Sequence, residues 1–349
     1  MTTHHLDTSK LHNFWDNSLQ SRIRIKPGDT VVFETVEASV NQISPKSTNE
    51  DIGRLDFGRV NAVTGPVFVE GAEPGDGLEV EVIGFKHKGW GWNAVIPHFG
   101  LLADEFPDPY LHIYKLGPKY CEFREDILIP FEPFCGEMGV APRQEGRLDA
   151  IPPRENGGNL DTRHLGPGTK IIFPVFISGA LFSCGDCHSA QGDGEINGTG
   201  IESNMTVTMR FNVIKGAHLK EMRFITAARK KLTVTDTGGY YVTTAQGPDL
   251  FKNAQQAVRY MIDHLNSEYH LTRAQAYCLC GAAVDLKISQ IVDAPNFMVS
   301  AYLPLSIFTK PRAKAAPSRA KKSASARRGT VKAKVGSKAT PKTRKKTKR

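Results

Sequence analysis

The chain has 349 residues, 40% of them hydrophobic and 23% charged, with 45 Lys and Arg against 36 Asp and Glu for a net charge of +9. That length and composition suit a soluble globular protein with one large or two modest domains. They exclude a chain built on membrane helices or on disulfides: no apolar run approaches the ~20 residues that cross a bilayer, and six cysteines are too dilute for a disulfide scaffold.

The positive charge sits at one end. Residues 310–349 hold 17 Lys and Arg and no Asp or Glu, which leaves residues 1–309 with 28 basic against 36 acidic residues, a net charge of −8. A segment so rich in Lys, Arg, Ala, Ser, Thr and Pro, without aromatics, is expected to be disordered, because it buries too little apolar surface to offset its ordering entropy. It resembles lysine-rich chromatin-type tails and suits salt-dependent, sequence-independent contact with nucleic acid. The first ten residues lack the apolar core of a signal peptide; a cytoplasmic location with reduced thiols is the expectation. Residues 1–309 are read as the folded, catalytic part and 310–349 as its appendage.

Taken in order, residues 22–37 place a Pro-Gly-Asp turn before Thr30-Val31-Val32-Phe33-Glu34. The device returns at Pro74-Gly75-Asp76-Gly77 before the apolar/acidic alternation of residues 78–83, and at Pro167-Gly168-Thr169 before residues 170–177. Alternation at period two behind Pro-Gly turns is the signature of half-buried strands in a sandwich or barrel. Residues 60–72 form another short strand between glycines, and 88–102 are rich in Gly and Trp, with Trp90, Trp92 and His98 as pocket-lining candidates. Stretches 136–142 and 152–161 are dense in turn residues and read as irregular. Residues 204–213 alternate again. Leu250, Ala254, Ala257, Val258, Met261, Ile262 and Leu265 share one helical face, and Thr272 caps a second apolar helix through residue 283. Strands over 285–292 and 298–307 close the fold. The expectation is a mainly β, α+β protein, sandwich- or barrel-like, with two helices near its C-terminus.

The stretch 178–204 carries the chemistry. An apolar, strand-like lead breaks into glycine-rich sequence bearing Asp186, His188, Asp193, Glu195 and Glu202. Asp186 and His188, two apart, share one face if the strand continues, and carboxylate with imidazole suits Zn²⁺ or a similar ion. Glu195 would then serve as general base. Cys184-x-x-Cys187 with Cys278-x-Cys280 allows a four-thiolate zinc centre, but the second pair falls in a helix-like apolar segment, so buried inert thiols are the preferred reading. Gly-x-Ser-x-Gly, Walker and dinucleotide motifs are absent.

Three blocks carry a family resemblance: residues 65–76 (Gly-Pro-Val-Phe-Val-Glu-Gly-Ala-Glu-Pro-Gly-Asp), 157–161 (Gly-Gly-Asn-Leu-Asp), and 179–202 from Gly-Ala-Leu-Phe through Gly-Asp, His188 and Gln-Gly-Asp-Gly-Glu to Ile-Glu. In this order they resemble the acetamidase/formamidase family over residues 11–307. The resemblance implies a β-rich cytoplasmic hydrolase with a metal-containing site, a homo-oligomer that splits a short amide into ammonia and a carboxylate. Carried onto this chain, it points to Asp161, Asp186, His188 and Glu195, with Asp193 and Glu202 behind them. Our chemical assignment makes Asp161, Asp186, His188 and Glu202 ligands of a divalent ion, zinc with calcium as the alternative. Glu195, with His188 and Asp186, handles the activated water, and Asn159 and His98 bind substrate. The alternative function is a non-enzymatic nucleic-acid binder acting through residues 310–349.

Overall fold

The computed structural model describes residues 1–227, 238–292 and 294–309. The expected alternation becomes two long strands, Gly77–His87 and Met205–Ile214, paired antiparallel, with Val80, Val82, Val207, Met209 and Phe211 fully buried. Around them a six-stranded sheet runs in the order Thr3–Leu6, Thr30–Glu34, Met205–Ile214, Gly77–His87, Lys170–Pro174, Arg223–Ile225. A second sheet runs Gly157–Asn159, Phe134–Gly139, Phe182–His188, Val63–Val69, Leu11–His12, with Ile23–Ile25 parallel to Val63–Val69.

The apolar faces of these two sheets share one core. Phe33, Phe173 and Phe211 of the first sheet surround Phe182 of the second at ring-centroid distances of 6.1, 5.8 and 5.2 Å. Burial of such a cluster removes several hundred Å² of apolar surface from water, which is the main force joining the layers. The sheets are open sandwich layers rather than a closed barrel.

A second core lies between the helices Leu250–Tyr269 and Arg273–Ala283, a three-stranded sheet (Tyr240–Gly247, Phe297–Pro304, Asp285–Gln290) and a four-stranded sheet (Ile127–Pro130, Tyr120–Arg124, Tyr110–Leu116, Trp90–Val95). Asp249 caps the first helix by accepting from the backbone N–H groups of Phe251 and Lys252. Thr272 and Gln275 form a reciprocal capping box on the second. No helix among the described residues is long and apolar enough to cross a membrane.

Four stretches differ from expectation, the first being 152–161, read as irregular, in which Gly157–Asn159 pairs as a strand with Phe134–Gly139. Residues 136–142 were expected to be irregular, yet Phe134–Gly139 is a central strand. It is buried on both faces, so no polar alternation marks it. Trp90–Val95 likewise forms a strand from the Gly- and Trp-rich stretch. In 178–204 the chain turns early, at Ala180 and Leu181, and the strand then runs unbroken through His188. The expectation of a disordered basic tail at 310–349 lies outside the described residues.

Candidate active site

The strand Phe182–His188 delivers Asp186 and His188, and the turn leaving Gly157–Asn159 delivers Asp161. Glu202 is set by isolated bridges to His188 and Trp92: its backbone N–H donates to Trp92 O (2.7 Å), and Trp92 N–H donates back to Glu202 O (3.0 Å). His188 Nε2 lies 3.2 Å from Glu202 Oε2, 3.4 Å from Asp186 Oδ1 and 4.0 Å from Asp161 Oδ1. Glu195 completes the group, its carboxylate within 4.8 Å of ligand atoms of His188 and Glu202. Five sequence candidates therefore come together.

All four of the atoms His188 Nε2, Asp161 Oδ1, Asp186 Oδ1 and Glu202 Oε2 are buried without a hydrogen-bond partner. Leaving a buried polar atom unsatisfied costs about 1–3 kcal/mol, and four such atoms aimed at one another are what a divalent cation repairs. Three carboxylate oxygens and an imidazole nitrogen are donors that a divalent cation accepts. The donor set fits a metal.

The electrostatics agree. Burial lowers the His188 pKa, but Glu202 and Asp186 outweigh it and hold the imidazole well above its ordinary range. Burial raises Asp186, yet the charge of His188 brings it below the usual carboxylate value. Asp161 is pushed well above by burial and by Glu195. Glu195 is raised to about 8 by burial, against His188 and with Glu202 adding to the rise. Glu202 is also raised to about 8, by burial against His188 and with Asp186 adding to it. Raised proton affinity at Asp161, Glu195 and Glu202 thus lies where a cation would bind.

Local backbone is bent to achieve this convergence. Asp161, Asp186 and Glu195 all stand in the left-handed region, at φ of 40°, 46° and 43°, conformations that cost a non-glycine residue of order 1 kcal/mol each. A Cβ on Gly136 would sit 2.7 Å from Asp161 Oδ1 and 2.8 Å from Asp186 O, so only glycine admits both acids beside the strand Phe134–Gly139.

Asp186, Glu195 and Glu202 floor a pocket with about 60 Å³ of room for the centre of a water-sized molecule, roughly the space of four to six waters. Its other polar walls are Ser39, Asn61, Asn159 and Thr199, and its mouth is apolar, with Leu55, Phe57, Ile96, Phe99 and Ile151. Asn159 therefore reaches the pocket. Asn61, 98 residues away, was not foreseen; its Nδ2 donates to Asn159 Oδ1 (3.1 Å) and Asp186 Oδ2 (3.4 Å). Gln191 was also missed. Nothing in the local pattern around Asn61 marks it, whereas Gln191 opens the Gln-Gly-Asp-Gly-Glu run of the block that carries the resemblance.

His98 is not among the residues that line this pocket. It sits exposed at φ 65° on a turn in which Phe99 N–H donates to Ile96 O, with Pro97 before it. Phe99, the next residue, lines the pocket instead. Trp92 does line it, with Nε1–H donating to the buried Glu37 Oε2 at 2.8 Å. Asp193 points elsewhere, toward His164 Nε2 at 3.6 Å. Cys184 and Cys187 belong to the sandwich core and Cys278 and Cys280 to the helical core. Burial pushes all four thiols up, consistent with inert cysteines.

The sequence profile described as the Acetamidase/Formamidase family matches residues 2–147 and 145–310. The chain is 29% identical to the acetamidase of Mycolicibacterium smegmatis over an alignment spanning 59% of this chain and 66% of that one. It is 26% identical to the formamidase of Methylophilus methylotrophus, covering 86% and 89% respectively. Among solved structures, a gamma lactamase from Delftia acidovorans superposes with a TM-score of 0.83 at 25% identity, covering 90% of this chain and 95% of that one. An acetamidase from Bacillus halodurans gives 0.60 at 32%, covering 86% and 97%. By sequence over nearly all of residues 1–309 and by fold, the chain belongs to the acetamidase/formamidase family of amide carbon–nitrogen hydrolases.

Proposed function

We propose that the chain hydrolyses a short linear amide of the formamide or acetamide kind to ammonia and a carboxylate, with Asp161, Asp186, His188 and Glu202 holding a divalent cation, zinc by their donor types. The observation that carries this reading is the set of four unpartnered buried ligand atoms, two of them on Asp186 and Glu202 in the lining of a pocket only a few waters in size, with a fourth carboxyl, that of Glu195, beside them. When bound, such a cation polarises a carbonyl and lowers the pKa of water to about 7. Glu195 takes the proton from the attacking water and returns it to the leaving nitrogen, a role suited to a buried carboxyl beside the ligand atoms and in the lining of the pocket. The hydrogen bond from Asn61 engages the Asn159 oxygen, which leaves the Asn159 NH₂ to meet the amide oxygen. Trp92, Ile96 and Phe99 screen the floor from bulk water. With all six cysteines free, we place the reaction in the reducing cytoplasm, and residues 1–309 as the catalytic unit. Ammonia release from formamide, acetamide and propionamide by zinc-loaded protein, abolished by chelation and restored by zinc, tests the reading; absence of turnover on every short amide overturns it.

A second reading comes from the 17 Lys and Arg of residues 310–349: retention on nucleic acid, independent of the pocket and steeply weakened by salt. Truncation after residue 309 should abolish retention on duplex DNA while leaving amide turnover intact.

A further inference from the structure

Arg163 stands two residues after Asp161, and Asp193 two residues before Glu195. Both are tied to one carboxylate outside the pocket. Arg163 Nη1 donates to Asp285 Oδ1, and the Asp193 backbone N–H donates to the same oxygen at 3.0 Å. Leu286 N–H donates to Asp193 O (2.9 Å) and Gly192 N–H to Gly281 O (2.8 Å), so the 191–195 turn is laced to the end of the second helix and the strand after it. The other arm of the guanidinium, Nη2, donates to Glu132 Oε2 at 2.9 Å, and Glu132 N–H donates to the carbonyl of Ser189, the residue after His188, at 3.0 Å. The Arg163 and Asp285 side chains are each 12% exposed. Lys287 Nζ lies 4.0 Å from the second Asp285 oxygen at the surface edge. Three separate segments of the site, those of Asp161, His188 and Glu195, thus meet in one ion-paired hub, behind Gln191 and across a narrow cleft from it.

We propose that Arg163 and Asp285 are positioning residues: their pairing sets the separation between the metal-holding Asp161 turn and the Glu195 turn, so that the C-terminal helix–strand unit governs the geometry of a site to which it contributes no ligand. The proposal rests on the ligand and base roles given above. A planar two-armed guanidinium suits this work, since it fixes two carboxylates in direction as well as distance. The competing account is that the pair only adds stability. The two accounts separate because removing one partner of a buried pair strands a charge, whereas removing both is often neutral for stability.

Zinc affinity, melting temperature and steady-state kinetics of Asp285→Asn, Arg163→Met, Arg163→Lys and the double variant R163M/D285L test it. The single variants should melt lower, bind zinc about tenfold more weakly, and show kcat reduced about tenfold with KM within twofold. The double variant should recover the part of the melting temperature that the stranded Asp285 costs in Arg163→Met, Glu132 still lacking its guanidinium, while zinc affinity and kcat stay low. Arg163→Lys keeps the charge and loses the fork, and it should fold with zinc affinity below wild type. Recovery of both zinc affinity and kcat in the double variant, or wild-type zinc affinity in Arg163→Lys, overturns the proposal. Zinc titration needs no substrate, so failure of the amide assay would sink the proposed reaction and leave this inference to be judged on binding.

Discussion

His188 donates its Nδ1–H to Gln191 Oε1 at 2.7 Å, and Gln191 passes a hydrogen bond on from Nε2 to the backbone carbonyl of Asp161, also at 2.7 Å. One carboxamide therefore sets the imidazole tautomer, leaving Nε2 free toward the acids, and ties the His188 strand to the Asp161 turn. Replacing Gln191 by Leu removes both bonds at nearly constant volume. Zinc affinity should fall about 10- to 100-fold with the fold retained, as read by competitive zinc titration and circular dichroism. An unchanged affinity would remove Gln191 from the machinery.

Glu195→Gln keeps the shape of the pocket floor and deletes its proton carrier. Turnover should drop by about two to four orders of magnitude, while zinc content and KM remain near wild type. Loss of zinc instead would recast Glu195 as a ligand. His98→Ala, by contrast, should leave KM within twofold, since His98 faces solvent.

Gly136→Ala brings a methyl group within 3 Å of both Asp161 and Asp186. Neither a central strand nor two buried acids can yield that space, so we expect destabilisation of about 1–3 kcal/mol together with loss of bound zinc. Gly84→Ala is the control: a Cβ there meets nothing within 4 Å, and it should shift stability by less than about 0.5 kcal/mol. Urea denaturation of both, with zinc measured on the folded fraction, checks the contrast.

The raised carboxyls make cation-free protein sensitive to alkali. Glu195 and Glu202 titrate at about 8 in the folded chain against 4.5 ordinarily, so between those values the folded state holds protons that the unfolded chain has released. Stability from these groups is full below about pH 4.5 and is lost as pH rises toward 8. His188, held above its ordinary 6.5, acts in the same direction, its contribution falling as pH passes its folded value. Asp186 opposes them only in acid, near and below its ordinary 3.8. Melting temperature in chelator should therefore decline from pH 5 to pH 8. With zinc present the protons are displaced and the decline should flatten or reverse, with zinc affinity itself rising with pH. A steady rise in chelator over that range would contradict the charge arrangement.

Much of the architecture was readable because it is amphipathic. Residues 78–83 and 204–213 show one face to water, and the apolar face of Leu250–Tyr269 repeats at helical spacing, so alternation and periodicity locate them. Phe134–Gly139 escaped because both of its faces are buried and two of its six residues are glycine, which mimics a loop. At the site, Asp186, His188, Glu195 and Glu202 lie within one stretch and Asp161 in a recognisable block, so their chemistry could be guessed. Asn61 and Gln191 could not. Each makes two side-chain hydrogen bonds, Asn61 to Asn159 and Asp186 and Gln191 to His188 and the Asp161 carbonyl, and an amide side chain carries no spacing rule of its own. His98 shows the converse, close in sequence to Trp92 yet outside the pocket that Trp92 lines.

The left-handed backbone at Asp161, Asp186 and Glu195 has a practical meaning for engineering. A glycine at Asp161 or Glu195 would adopt its conformation without strain and remove a crowded acid, which favours the folded chain, whereas at Asp186 it would relieve the backbone but strip His188 of a charge partner. Heat tolerance and turnover therefore pull Asp161 and Glu195 in opposite directions. A library screened on melting temperature alone would enrich inactive protein, whereas one screened first for ammonia release would confine its gains to the sheets and helices around the pocket.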